Sequence, residues 1–546
     1  MSEIRSTFET ALLFIVVLVA AYLSIHVGAV ITPTGTDYSW NSVQLVGQLF
    51  DGARVPGAAV PILIVVVAAV VTAAIVVGRV GRIRREERQT VQRMAPPSEY
   101  KALLEKARLE QARNDLHEDE PDIGPGLPIG SVATRGRHKV FQSWEDAGVH
   151  LHGTRRGKTT SEVVPHCAVA PGGVMVTSNK PDGIREILAA RHGAGECYVL
   201  DPNQVVRRSS TPDFTFDLLA DIHTDDDAYE LAEIFEASTR RASDRGGDAQ
   251  FDESGRKMLA GCFLAAALER RQLRDVYEWL TREKVTTVAD ILRKHDVVGL
   301  AATLDGFAEW TEKTRSGMYA TAQRMAGALS NEAMMAWTVP TPGIRQFDPA
   351  TLAQGKDTLV LLSKKGGSAA AFVTALVRAV CKAAEQQAHA NGGRLRVPLV
   401  NELDECANVV KWPELPEVYS YYGSLGIVMN TYFQSPAQAI AAYGKEGWEA
   451  IWSAAPIRVF GGGVVDQPRL QELSALIGEY EEVTDSTTGA TRFRPILTAG
   501  ALGSLRKWRA VVFASGVDPI LIRTKPWFRN LRLRRRINAG KKALNV

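Results

Sequence analysis

Two long apolar runs open the chain. Residues 11–32, "ALLFIVVLVAAYLSIHVGAVIT", and residues 58–78, "AAVPILIVVVAAVVTAAIVVG", contain no Asp, Glu, Lys or Arg. At a rise of 1.5 Å per residue, each forms about 30 Å of helix, enough to cross a bilayer. The first run is long for the apolar part of a signal peptide, and no persuasive small-x-small cleavage site follows it. The second is too continuously apolar for an amphipathic core helix. Both are therefore read as transmembrane helices rather than as a cleaved leader and a core helix. Pro61 lies near the start of the second, where proline disturbs a helix least.

Beyond residue 81 the pattern changes. Residues 82–116 are charge-rich with helical spacing, and "LHEDEPDIGPGLPIGS" reads as a linker broken by acids, Pro and Gly. From about residue 131, short apolar runs alternate with helical segments. The strand candidates are "AGVHLHG", "GGVMVTS", "CYVLDP", "DTLVLLS", "RVPLVNELD", "GIVMNTY", "PIRVFGG" and "WRAVVFAS". The helical segments include 159–169, 182–192, 368–390 and 467–477. Alternation of this kind predicts an α/β domain with a parallel sheet and helices on both faces. Between "CYVLDP" and "DTLVLLS", residues 222–338 repeat apolar positions every three to four residues, which predicts an inserted all-α domain. The expected organisation is thus a membrane anchor (1–81), a juxtamembrane helix and linker (82–130), and an α/β domain in two parts (131–221 and 339–530). The all-α insertion (222–338) lies between those parts, and a basic tail (531–546) follows.

Charge matters here through its distribution, since the net formal charge of the 546 residues is only +3. "RVGRIRREER", directly after the second apolar run, holds five arginines, whereas the loop 33–57 holds one, Arg54. This asymmetry predicts that the short N-terminus and everything after residue 79 lie in the cytoplasm. The five cysteines are scattered without metal-ligand or disulfide spacing and fit a reducing compartment. The C-terminal stretch "RTKPWFRNLRLRRRINAGKKALNV" carries nine Lys/Arg and no acid. It reads as a surface for DNA phosphate or the anionic inner leaflet, with Trp527 and Phe528 available to stack on bases, or as a solubilising tail.

The chemistry concentrates in "HLHGTRRGKTTS", residues 150–161. Its end, Gly157-Lys158-Thr159, matches the close of the phosphate-loop pattern G-x-x-x-x-G-K-[ST], but His152 stands where the first glycine belongs and Gly153 comes one place late. Such a loop needs backbone N–H groups converging on phosphates, a lysine for the terminal ones and a hydroxyl for Mg²⁺, between a strand end and a helix N-terminus. "GVHLHG" and "TSEVVPHCAVA" supply the strand and the helix, the latter shortened or kinked at Pro165. A Mg²⁺–nucleotide site also needs an acid at the end of a neighbouring apolar strand and a water-polarising residue beside it. Asp404-Glu405 closes "LRVPLVNELDE", and Gln434 closes "GIVMNTYFQ", a position suited to sensing a γ-phosphate. Loop, acid pair and polar sensor in that order predict ATP binding. Gly153, Thr154, Arg155, Arg156, Gly157, Lys158, Thr159 and Thr160 would cradle the nucleotide.

These segments resemble the type IV coupling proteins, the TraG/TraD-like ATPases of conjugative DNA transfer. The resemblance rests on "GTRRGKTT", "LVNELDECANVVKWPELPEVYSYYGSLGIVMNTYFQSPAQAIAAYG" and "IRVFGGGVVDQPRLQELSALIGEYE", with a second glutamine at Gln438. It implies a RecA-like P-loop motor at the bacterial inner membrane, a homo-hexamer that hydrolyses ATP between subunits. Such a motor would move single-stranded DNA, or a relaxase–DNA conjugate, towards a type IV secretion channel. By the same resemblance, Lys158 contacts the β/γ-phosphates, Thr159 and Asp404 hold Mg²⁺, Glu405 polarises water, and Gln434 couples hydrolysis to movement. The inserted helices would recognise substrate. Two departures stand out: the bulky His152, and the turn "YYGSLGI", which lacks the arginine many relatives carry. Any arginine acting across subunits would come from elsewhere, with Arg458 and Arg345 as candidates. The alternatives are an FtsK-like DNA pump, a protein-secretion motor, and a membrane scaffold that binds nucleotide without hydrolysing it.

Overall fold

A computed structural model describes residues 2–116, 123–134, 136, 138–206, 211–239, 249–364, 367–483 and 490–544, with side chains of the first helix described from residue 15. Two compact units divide the chain, Met1–Gln89 and Thr90–Val546.

The first unit holds the helix Ser2–Ile31, a short helix Ser42–Phe50 capped by the Asn41 side chain, and most of the long helix Ala59–Arg93. Among the described residues, Ala59–Arg93 is the one helix long and apolar enough to cross a membrane. The apolar part of the first helix described in full, Ile15–Ile31, is shorter. Val16, Val17 and Ala20 face Val67, Val70 and Val71, and the His26 ring stacks on Trp40 at 4.0 Å.

The second unit is built on an 11-stranded sheet. In chain order its strands are β1 (Leu127–Val132), β2 (Lys139–Gln142), β3 (Gly148–Leu151), β4 (Val174–Ser178), β5 (Cys197–Leu200) and β6 (Thr358–Leu362). They continue with β7 (Leu399–Leu403), β8 (Ile427–Phe433), β9 (Ile457–Phe460), β10 (Arg509–Ala514) and β11 (Val517–Arg523). The spatial order is β2-β1-β11-β10-β9-β3-β8-β7-β4-β6-β5. From β9 to β5 all neighbours run parallel, with β3 between β9 and β8. β3, β4, β6, β7 and β8 are buried along their whole length, as strands covered on both faces must be. Every strand expected from its apolar run is present.

The sheet is not purely parallel. β10, β11, β1 and β2 extend it through antiparallel pairings. The unit also starts earlier than residue 131. Tyr100 and Leu103 are buried, Leu104 bridges to Val140, and β1 begins at Leu127, so much of the expected linker packs against the sheet; its residues 117–122 lie outside the described residues.

Every described element between Asp225 and Met335 is helical, including Asp225–Thr239, Ala249–Leu268 and Glu312–Met325. Phe235, Met258, Phe263 and Met318 are buried among them. The C-terminal basic run is a helix as well, Leu531–Leu544, not a solvated tail. Leu533 and Ile537, four residues apart, turn one buried face inward. Gly540 lets that helix approach Ile184–Arg191 so closely that a Cβ would meet Ala189 O at 2.0 Å. Arg536 donates to Ala168 O at 2.7 Å and Lys541 pairs with Glu186, while Arg532, Arg534 and Arg535 stay exposed.

Candidate nucleotide site

β3 delivers the chain into the loop 152–158, and a helix starts at Thr159. Its first turn, Thr159–Val163, is wound as a π-turn before an α-helix continues to Val169. Pro165 explains this, because it lacks the N–H that an α-turn would direct at Ser161 O. Inside the loop, Arg155 (φ 59°) and Gly157 (φ 93°) adopt left-handed backbone. A Cβ on Gly157 would also fall 2.7 Å from Trp508 Nε1. The late Gly153 has its own reason. It packs on the Gly461-Gly462-Gly463 run after β9, donating to Gly462 O at 2.9 Å, and a Cβ there would lie 2.1 Å from Gly463 O.

Lys158 reaches across the sheet end to β7. Its ammonium lies 2.7 Å from Asp404 Oδ1 and 3.0 Å from Glu405 Oε1. Thr159 Oγ1 donates to Asp404 Oδ2 at 2.9 Å. From the end of β8, Gln434 Nε2 donates to both Glu405 oxygens at 2.6 Å, and Asn408 Nδ2 donates to Oε2 at 3.1 Å. Lys180, after β4, lies 3.3 Å from Glu405 Oε1. Glu405 itself has φ 56°, a left-handed conformation that stores strain in a non-glycine residue. Burial alone would lower the Lys158 pKa, but Asp404 and Glu405 hold it above its ordinary value. Burial would likewise raise Glu405, yet Lys158 and Lys180 keep its carboxyl below the usual range.

A cavity of about 920 Å³ opens over this cluster. Gly153, Thr154, Arg155, Arg156, Gly157, Lys158, Thr159 and Thr160 line it together with Asp404, Glu405 and Gln434. The structure thus brings the residues expected to cradle nucleotide, hold Mg²⁺ and act in hydrolysis around one cavity. Lys180, Arg185, Lys507, Val205 and Val206 also line it. Sequence spacing gave no sign of these. Trp527 and Phe528, read above as possible DNA-stacking groups, form part of the cavity wall, carried there by the segment before the docked C-terminal helix. Gln438 is not among the lining residues, and its N–H caps onto Ser435 Oγ. Arg345 pairs with Glu196 at 2.6 Å, and Arg458 is part-buried on β9 with its Nε unpartnered; neither lines the cavity.

His152 also points elsewhere. It is buried behind the loop, with Nε2 3.2 Å from Glu162 Oε2, an oxygen that His150 Nδ1 meets at 2.9 Å. His150 on β3 and His152 just past its end lie two apart in extended chain, so both face the same side. Nearby, His166 Nδ1 lies 3.0 Å from Glu402 Oε1, and Tyr432 and Asn430 donate to Glu402. Burial pushes the His150 pKa down, whereas Glu402 holds His166 up against its burial. Glu162 is held far below the usual carboxylate range by the two histidines, although burial acts the other way.

Residues 398–507 match the family described as "TraM recognition site of TraD and TraG". Among solved structures, the bacterial conjugative coupling protein TrwB lacking 70 N-terminal residues matches in its trigonal form with a TM-score of 0.54 and 14% identity, covering 78% of this chain and 93% of that one. TrwB in complex with a non-hydrolysable GTP analogue matches with 0.51 and 16%, covering 70% and 86%. TrwB with ADP and Mg²⁺ matches with 0.50 and 16%, covering 70% and 85%. No curated protein matches the sequence. The family match is thus confined to residues 398–507, and the likeness to TrwB is one of mixed α/β fold.

Proposed function

We propose that this chain is a membrane-anchored ATPase that couples ATP hydrolysis to translocation of DNA or a relaxase–DNA complex. It would act as a homo-hexamer at the bacterial inner membrane, held by two transmembrane helices, and feed a type IV secretion channel. The carrying observation is the meeting of Lys158 and Thr159 with Asp404, Glu405 and Gln434 around one cavity. The same fold in TrwB, solved with ADP and Mg²⁺, supports nucleotide with Mg²⁺ as the occupant.

The donor set fits that occupant. Thr159 Oγ1 and Asp404 Oδ2, 2.9 Å apart, are two hard oxygens beside the phosphate loop, the ligand type Mg²⁺ prefers. They would hold the ion, which when bound neutralises phosphate oxygens. The Lys158 ammonium has the reach to bind β- and γ-phosphate oxygens, and loop N–H groups at the helix N-terminus bind the remainder. Glu405, kept ionised by Lys158 and Lys180, accepts a proton from water positioned beside the γ-phosphate. Gln434 fixes the Glu405 carboxylate with two hydrogen bonds and sits one residue before the N-cap of helix Pro436–Ala454. A shift of Glu405 is thereby passed to that helix. The helices of 222–338 would take the role of substrate recognition.

DNA-stimulated phosphate release by the full chain in detergent tests this reading, beside Lys158→Ala and Glu405→Gln. Loss of release in both variants is expected. Equal rates in all three proteins would overturn the motor and leave a nucleotide-binding scaffold.

A further inference from the structure

We infer that His150, His152 and Glu162 form a structural zinc site behind the phosphate loop. The three side chains are fully or almost fully buried, and none of them lines the nucleotide cavity. One donor atom from each lies within 4.8 Å of the other two. Glu162 Oε2 is 2.9 Å from His150 Nδ1 and 3.2 Å from His152 Nε2. Two ligands bound to one zinc at about 2.0–2.1 Å, and set at about 90–110°, are themselves roughly 2.9–3.4 Å apart. Glu162 therefore already stands at ligand-to-ligand spacing from each histidine. Glu162 Oε1, buried with no hydrogen-bond partner, supplies a fourth donor if the carboxylate binds through both oxygens.

The chemistry of the set selects the ion. Two imidazoles and a carboxylate suit zinc, whereas Mg²⁺ and Ca²⁺ take mainly oxygen. Full burial away from the nucleotide cavity makes this the structural kind of site rather than one open to substrate. The outer surroundings offer an unused acceptor. Bound histidines direct their second ring nitrogen at an acceptor. His150 Nε2 and Gln142 Oε1 are both buried and unpartnered, and both lie close to where a Cβ on Gly148 would stand, at 3.0 and 3.1 Å. Glycine at 148 keeps that space open.

The ion would tie β3, which leads into the loop, to the first turn of the helix that leaves it. This inference does not depend on ATP hydrolysis, and its test reads the metal directly. Full-length chain without a histidine tag, purified with micromolar Zn²⁺ and desalted, is analysed by elemental mass spectrometry. About one zinc per chain is expected, falling at least fivefold in His152→Gln and Glu162→Gln and unchanged in His389→Gln, which alters an exposed histidine. Chelator treatment of the wild-type chain should lower Tm by several degrees, with recovery on adding Zn²⁺ but not Mg²⁺. The wild-type chain decides the matter even if both variants fail to fold. Sub-stoichiometric zinc with a chelator-insensitive Tm would overturn the site and leave a metal-free hydrogen-bonded cluster. Equal zinc in folded variants would overturn it too.

Discussion

Lys158, Asp404, Glu405 and Gln434 face a cavity of about 920 Å³, while His150, His152 and Glu162, only a helical turn away, are almost wholly shut off from solvent. Both groups combine carboxylates with nitrogen donors, and both join the loop region to its neighbours. In the cavity, the ion pairs of Lys158 border open space, and under the proposed function phosphate and Mg²⁺ would take over each partner. Behind the loop no ligand can enter easily, so Glu162 needs a permanent positive or hydrogen-bonding partner in a low-dielectric setting. The comparison teaches that burial, more than residue type, separates charge used for chemistry from charge used for architecture.

That division can be broken by substitution. The largest expected effect is on stability, from Glu162→Ala, which strands two buried histidines; a loss of about 3–5 kcal/mol should appear in denaturant unfolding. Lys158→Ala should do the reverse, lowering phosphate release by roughly 100-fold or more with little change in Tm. If Lys158→Ala were as destabilising as Glu162→Ala, the distinction would fail. Gly157→Ala comes next. Its left-handed φ and the nearby Trp508 should together weaken nucleotide binding about tenfold by equilibrium titration. Phe528→Ala, at the cavity wall, should raise KM about three- to tenfold with kcat nearly unchanged.

The smallest effect concerns pH. Lys180 helps hold Glu405 below the usual carboxylate range, so Lys180→Met removes a cation and lets that pKa rise. Activity that needs ionised Glu405 is then lost sooner as pH falls. The acid limb of the kcat profile should move up slightly, a small shift because Lys180 is half exposed and solvent-screened.

Much of the central sheet was legible from apolar runs ending in polar chemistry, as in "LVNELDE" and "GIVMNTYFQ", because strands buried on both faces leave continuous hydrophobic signatures. β1, β2 and β11 were not. "VDPILIR" carries an acid and Pro519 near its start, and its burial is confined to Ile520–Ile522. The C-terminal helix was hidden by its charge, since two apolar residues and one glycine suffice to dock it. His152 stood out only as a bulky departure from the loop pattern; its place in the interior follows from its spacing from His150 and its contact with the glutamate ten residues later. Lys180 and Lys507 could not have been found from spacing, because only the fold brings them to the cavity.

The docking of helix Leu531–Leu544 also sets an order of events during synthesis. Trp527 and Phe528 belong to the cavity wall, so a ribosome that has made the loop, both acids and Gln434 still holds an incomplete site. Chains cut short before residue 527 would carry every predicted catalytic side chain and lack the wall opposite them. In a nascent chain of this design, that wall is the last part of the cavity to be made.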